Sequence, residues 1–168
     1  MLGHSKIFNS STSYTRLISW GIVSPSMRAQ ILQTRFAIRR SKPGLGYGLF
    51  ATNAIPAGEF VLEYKGRHVP TETADKLKTK YLFEIDSSWT IDGSTRANTA
   101  RYVNHSCAPN CEADVRDGKV LIFANREIEA GEELTIDYGE EYFKEFIEPH
   151  GCKCDRCKHP RLAFWRRS

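Results

Sequence analysis

Between Phe36 and Tyr138 the chain is written in short apolar runs, such as Phe60-Val61-Leu62 and Val120-Leu121-Ile122-Phe123-Ala124, each closed within a few residues by Gly, Pro, Asn or Asp. A buried helix needs roughly 10–12 residues of continuous periodicity, and runs this short suit strands instead. Candidate strands are 35–39, 48–51, 60–64, 81–86, 89–92, 112–115, 119–124 and 133–137. Helical signal is confined to three stretches: 71–80, where Thr71 offers a cap and Glu72 with Lys76 an i,i+4 pair, 95–102, and 140–147 with Tyr142, Phe143 and Phe146. The class read from this pattern is mostly β. One phrase occurs twice, Ile55-Pro56-Ala57-Gly58-Glu59 ahead of Phe60 and Ile128-Glu129-Ala130-Gly131-Glu132 ahead of Glu133. Both copies read as a glycine turn leading into a strand, and two copies are too few for a repeat array.

A length of 168 residues suits one domain with its own core. No apolar run, the weakly apolar stretch Leu17 to Val23 included, approaches the roughly 20 residues needed to span a bilayer. Charge is unevenly spread. Residues 1–58 hold no Asp or Glu but carry Lys6, Arg16, Arg28, Arg35, Arg39, Arg40 and Lys42, whereas residues 59–151 hold 19 Asp/Glu against 11 Lys/Arg. From Cys152 onward the chain is basic again. An acidic body between basic ends favours a basic partner and allows anionic contacts at the ends. Nucleic-acid binding through Arg39, Arg40, Lys42, Arg161, Arg166 and Arg167 is an accessory reading, since a solubilising surface gives the same pattern. A monomer is expected. Residues 1–30 read as a disordered tail, an organelle targeting segment or chain ahead of the true start, given their Ser/Thr content, their lack of acids and the second methionine at Met27.

Three clusters carry the chemistry. Gly44-Leu45-Gly46-Tyr47-Gly48 is a loop on which a ligand can approach backbone closely. It lacks the spacing and the following helix of a dinucleotide fingerprint. Arg101-Tyr102-Val103-Asn104-His105-Ser106-Cys107-Ala108-Pro109-Asn110-Cys111 is dense in hydrogen-bonding groups, although His105 also suits a buried structural role and Asn110 simple turn chemistry. Cys152, Cys154 and Cys157 offer three thiols to one tetrahedral metal, with Cys107 the natural fourth ligand and His150, Cys111 or His159 the alternatives. A zinc ion there would be structural. The competing reading is a redox pair at Cys154 and Cys157. An odd, clustered cysteine count indicates a reducing intracellular compartment, cytoplasm or nucleus.

Taken in order, Gly46-Tyr47-Gly48, then Tyr64 and Gly66 in EYKG, then RYVNHSCAPNC, then ELTIDYG and a Cys-rich tail, this sequence resembles the SET-domain lysine methyltransferases that carry a post-SET zinc motif. The likeness covers roughly residues 35–157. It implies several small β-sheets with a threaded C-terminal segment, a SET domain over 31–148, a post-SET motif over 149–160 and a basic tail over 161–168. It further implies that Gly46, Tyr47, Gly48, Arg101, Asn104 and His105 hold S-adenosylmethionine. The substrate lysine would enter a channel lined by Tyr64, Tyr81, Ile136 and Tyr138, with Tyr138 and Tyr81 nearest the chemistry. Cys107, Cys152, Cys154 and Cys157 would hold Zn2+. Two departures stand out: the tail spacing is C-x-C-x2-C where the family has C-x-C-x4-C, and Ile136 stands where Phe or Tyr is usual. Without a hydroxyl there to hold water, the channel leans toward di- or trimethylation.

Such a site faces a definite problem. Only a neutral amine has the lone pair for attack on a sulfonium methyl, and deprotonating a lysine of pKa about 10.4 at pH 7 costs about 4–5 kcal/mol. An apolar aromatic channel disfavours the ammonium, and alignment of the reacting atoms supplies the remainder. The substrate expected is a basic lysine-bearing protein, histone or otherwise. The alternative is a zinc-stapled peptide-binding module without catalysis, against which Asn104, His105 and Tyr138 argue.

Overall fold

The computed structural model describes residues 35–74 and 76–158. Among the described residues, ten short strands form four small sheets, and no helix is long or apolar enough to cross a membrane. Strands β1 (Phe36–Arg40) and β2 (Tyr47–Ala51) make a hairpin. β3 (Phe60–Tyr64), β9 (Lys119–Ala124) and β8 (Cys111–Arg116) make a sheet in the order β3-β9-β8. β4 (Arg67–Pro70), β6 (Trp89–Asp92) and β5 (Leu82–Glu84) make a second, in the order β4-β6-β5. β7 (Asn104–His105) and β10 (Thr135–Ile136) pair in parallel.

Local chemistry accounts for the turns. β8 and β9 are joined by Asp117-Gly118, both at positive φ (50° and 70°), the two-residue turn whose twist matches the flanking strands. The duplicated phrase has a structural meaning: Ile55 and Ile128 exchange backbone hydrogen bonds of 2.9 Å each, so the two copies lie side by side as an antiparallel bridge. Gly58 and Gly131 close their turns at φ 76° and 89°. The core inside these sheets is one cluster that includes Leu49, Val61, Leu62, Ile91, Val103, Val120, Ile122, Ile128, Leu134 and Ile136. Each such side chain contributes about 1.5–3 kcal/mol on burial.

The expected mostly-β class holds, with corrections in detail. Of the helix expected over 71–80, α1 (Thr71–Ala74) forms, while the N–H groups of Lys76 and Leu77 donate to the carbonyls of Thr73 and Ala74 in turn-like bonds, and residues 77–80 are not helical. Lys76, Lys78 and Lys80 lie beyond it, a run of like charge with no apolar stripe to dock. The helix expected over 95–102 is a 3-10 turn over Thr99–Tyr102 alone. The stretch 140–147 is helical, as α2 (Glu140–Tyr142) continued by a π turn, Phe143–Ile147. The strand expected over 133–137 is only two residues long, and β4 and β7 were not foreseen. A last short helix, α3 (Asp155–Lys158), carries Cys157. The readings of residues 1–30, His159 and the tail 161–168 lie outside the described residues.

Candidate active site

The parallel pairing of β7 with β10 brings the Asn104-His105 run against the segment ending in Tyr138. Ser106 N–H donates to the Ile136 carbonyl at 3.0 Å, Tyr138 N–H donates to His105 Nδ1 at 3.3 Å, and the Tyr138 hydroxyl donates to the Val103 carbonyl at 2.7 Å. His105 is buried, with the Tyr138 and Phe143 rings 5.5 Å and 5.4 Å from its own.

Three spaces open on this junction, and two of them meet at Tyr138. A cleft of about 610 Å³ is bounded by the Gly44–Tyr47 loop, by Arg101, Asn104 and His105, and by the tail residues His150–Cys154. Its size falls in the range of cofactor pockets. A narrow space of about 60 Å³ lies between Tyr64, Phe83, Val103 and Ile136, wide enough for the end of one side chain only. Lys80, Tyr81, Arg101, Tyr138 and Tyr142 line both, so the two spaces share a wall.

Hydrogen bonding leaves particular atoms free to face these spaces. The Tyr64 hydroxyl donates to the Tyr81 carbonyl at 2.9 Å, which fixes one side of the narrow space. The Arg101 guanidinium lies 4.0 Å from the centre of the Tyr81 ring and donates to the Ser94 carbonyl, yet its Nε is buried without a partner. A buried donor of this kind is costly unless something accepts from it. Burial pushes the Tyr138 and Tyr64 phenols well above their ordinary value, so both hydroxyls keep their protons. The hydrogen bond from Arg101 lowers Tyr81, outweighing its partial burial.

These shifts fix a stability window. Burial pushes the Cys111 thiol from 9.0 up to about 12, and the unfolded phenols titrate near 10.0. The fold prefers the neutral forms, so their contribution is complete below pH 9 and is lost as pH climbs toward the raised folded values. The melting temperature is expected to hold from pH 8 to 9 and to fall steadily above it. A flat profile to pH 11.5 would contradict the burial argument.

The four cysteines converge. The sulfurs of Cys107, Cys152, Cys154 and Cys157 all lie within 4.8 Å of one another, with Cys107 at 3.9 Å from Cys152 and 3.6 Å from Cys157. Tetrahedral zinc with Zn–S of about 2.3 Å sets its sulfurs about 3.8 Å apart, so the donor set fits that ion. Burial raises the Cys107 thiol above its usual range and Cys152 to about 11. At Cys154 burial works the same way, but N–H groups of Cys107 and Cys157 outweigh it and bring the thiol down to about 7. Lys42 pairs with Asp155, Arg156 donates to the Cys107 carbonyl at 3.3 Å, and Lys153 to the Gly44 carbonyl at 3.4 Å. The tail is thereby pinned across the cleft.

Of the residues singled out from sequence, Gly46, Tyr47, Arg101, Asn104, His105, Tyr81 and Tyr138 line the cleft, and Tyr64, Tyr81, Ile136 and Tyr138 line the narrow space. Gly48 does not line the cleft. It sits behind it, where a Cβ would fall 2.1 Å from Glu133 Oε1. Cys111 is buried at the start of β8, apart from the cysteine group, and His150 lines the cleft instead of joining the group. Sequence reasoning missed Lys80, Tyr142 and Glu133, gave no structural weight to Asn98, and saw in Asn110 only turn chemistry. These two asparagines are 0% and 1% exposed. Asn98 accepts from Lys65 N–H at 3.0 Å and donates to the Gly93 carbonyl at 3.1 Å. Asn110 accepts from Thr135 N–H and donates to the Glu133 carbonyl, both at 2.8 Å, which ties the 101–111 loop to β10. The only signal in sequence was an asparagine beside each motif.

Comparison with known proteins agrees with this geometry. The model of the SET domain matches residues 46–139. The chain is similar to the histone-lysine N-methyltransferase trithorax of Drosophila virilis, 40% identical over 125 residues covering 67% of this chain and 3% of that protein. It is also similar to the H3 lysine-4 specific histone-lysine N-methyltransferase of Mycosarcoma maydis, at 36% over 125 residues, or 67% of this chain and 8% of that one. A third relative is the human histone-lysine N-methyltransferase EHMT1, at 32% over 151 residues, or 81% of this chain and 12% of that one. The chain thus spans a small fraction of the length of these relatives. With the match running from the glycine loop to the last residues of the β10 segment, the chain belongs to the SET domain family.

Proposed function

We propose that this chain transfers a methyl group from S-adenosylmethionine to the side-chain amine of a lysine in a basic protein, with histones the class that the relatives' names suggest. The observation that carries this reading is the shared wall: a cofactor-sized cleft and a space fit for one side-chain end meet at Tyr81, Arg101, Tyr138 and Tyr142. Transfer between two molecules held in separate pockets needs that topology, and a peptide-binding module does not.

The backbone at Gly46 and Tyr47, with Arg101, Asn104 and His105, would hold the cofactor. The unpartnered Arg101 Nε suits a group that accepts a hydrogen bond. Once bound, S-adenosylmethionine supplies an electrophilic methyl on a sulfonium. The chain's own residues do the remainder. The aromatic walls of the narrow space exclude water and disfavour an ammonium, lowering the cost of presenting a neutral amine. Tyr138 donates its hydroxyl hydrogen bond to the Val103 carbonyl, so its oxygen lone pairs are left for the incoming amine. Cys107, Cys152, Cys154 and Cys157 would hold a structural zinc ion that keeps the tail against the cleft. We assign the catalytic unit to residues 31–148 and the clasp to 149–160, acting as a monomer in a reducing compartment. The acidic residues between Glu59 and Gly151 attract the basic segment that carries the target lysine.

The test is labelled methyl transfer from S-adenosylmethionine to a panel of basic proteins. Label on a lysine is expected, and a chain that neither binds nor is thermally stabilised by the cofactor would refute the reading. Ile136, buried in the narrow space, bears on product number. Ile136→Tyr places a hydroxyl there, and the di- and trimethylated fraction, read by mass spectrometry, is expected to fall about tenfold (~1.4 kcal/mol). An unchanged distribution in a folded variant would remove the role given to Ile136.

A further inference from the structure

The Asn104 amide spends both its hydrogens on the protein. Nδ2 donates to the Tyr47 carbonyl at 3.1 Å and to Glu133 Oε1 at 2.7 Å, which leaves Oδ1 without a partner among the described residues. Turned the other way, Oδ1 would face two acceptors, so the orientation is dictated by its neighbours. Glu133 is itself held. Ser41 Oγ lies 2.7 Å and 2.8 Å from its two carboxylate oxygens, and the carboxylate occupies the volume that a Cβ at Gly48 would need.

We propose that Glu133 is a positioning residue for cofactor binding: admitted by the absent side chain at Gly48 and anchored by Ser41, it fixes Asn104 so that the amide oxygen, and not the amide nitrogen, faces the cleft. The assignment rests on the cofactor reading of that cleft and adds to it a residue that does not line it. It gives a reason for glycine at position 48 that no backbone angle supplies, since Gly48 is not among the glycines at positive φ. It also explains why a carboxylate stands at position 133: a group that only accepts can take bonds from both the amide and the hydroxyl.

The test is the dissociation constant of S-adenosylmethionine, measured calorimetrically on the full chain with zinc bound. Glu133→Ala is expected to weaken binding about tenfold, and Glu133→Gln about two- to threefold, because an amide oxygen still accepts from Asn104 while the Ser41 hydroxyl turns to accept. In an Asn104→Ala background the Glu133→Ala loss is expected to shrink below about twofold, since the residue acts through that side chain. Gly48→Ala, which displaces the carboxylate without removing it, should reproduce the weakening and serves if Glu133→Ala does not fold. Wild-type affinity in Glu133→Ala, or a tenfold loss that persists without Asn104, overturns the proposal. A wild-type chain that binds no S-adenosylmethionine refutes the cofactor reading, and this proposal falls with it.

Discussion

Tyr138→Phe is expected to lower methyl transfer to a basic protein about 100-fold, or ~2.7 kcal/mol in the barrier, while leaving cofactor affinity within a factor of two. The reason lies in where the hydroxyl points. Its hydrogen bond is committed to the Val103 carbonyl at 2.7 Å, and burial pushes the phenol well above its ordinary value, so it stays protonated near neutral pH. What remains for the narrow space is an oxygen with lone pairs, fixed at the junction with the cleft. Phenylalanine keeps the ring, the packing against His105 and the shape of the wall, and removes only that oxygen. The variant also leaves the buried Val103 carbonyl without its donor, at a cost of about 1 kcal/mol in stability, so a melting curve separates loss of fold from loss of chemistry. Full activity in Tyr138→Phe would show that the oxygen does not act on the amine or the methyl. Undiminished cofactor binding with lost transfer would support the assignment.

Metal content should respond still more sharply. The chain is expected to carry one zinc ion, and Cys154→Ser or Cys107→Ser to carry almost none, because three thiolates with one weak hydroxyl no longer form a closed tetrahedral set. Cys111→Ala is the internal control and should retain its zinc, since that thiol is buried at the start of β8 away from the group. Chelation should weaken S-adenosylmethionine binding by tenfold or more, because Cys152 and Cys154 belong to the wall of the cleft. Normal zinc in Cys154→Ser, or loss of zinc in Cys111→Ala, would sink the ligand assignment.

What the sequence made legible follows the range of the interactions involved. Hairpins such as β8–β9 announce themselves because alternation and an Asp-Gly turn are local signals. β4 was hidden by its Pro70, which is tolerated because β4 lies at the edge of its sheet. β7 was invisible for another reason: it is two residues long and exists only because β10 comes to lie beside it in parallel, a pairing with no local signature. The same distinction runs through the site. Residue type and motif order pointed to Tyr138, Arg101 and Asn104. Spacing alone left Cys107 and Cys111 as rivals for the cysteine group, and only the strand that begins at Cys111, turning its thiol into the core, separates them. Glu133 escaped notice because it acts behind the cleft, through a neighbour distant in sequence.

The cleft takes one of its walls from His150 to Cys154, near the end of the described chain. During synthesis the sheets and the aromatic wall therefore emerge from the ribosome before the piece that closes this side of the cleft. A nascent chain released only as far as Tyr142 would carry every strand of the sheets and every aromatic residue of the shared wall, with the cleft still open on the side that His150 to Cys154 later close.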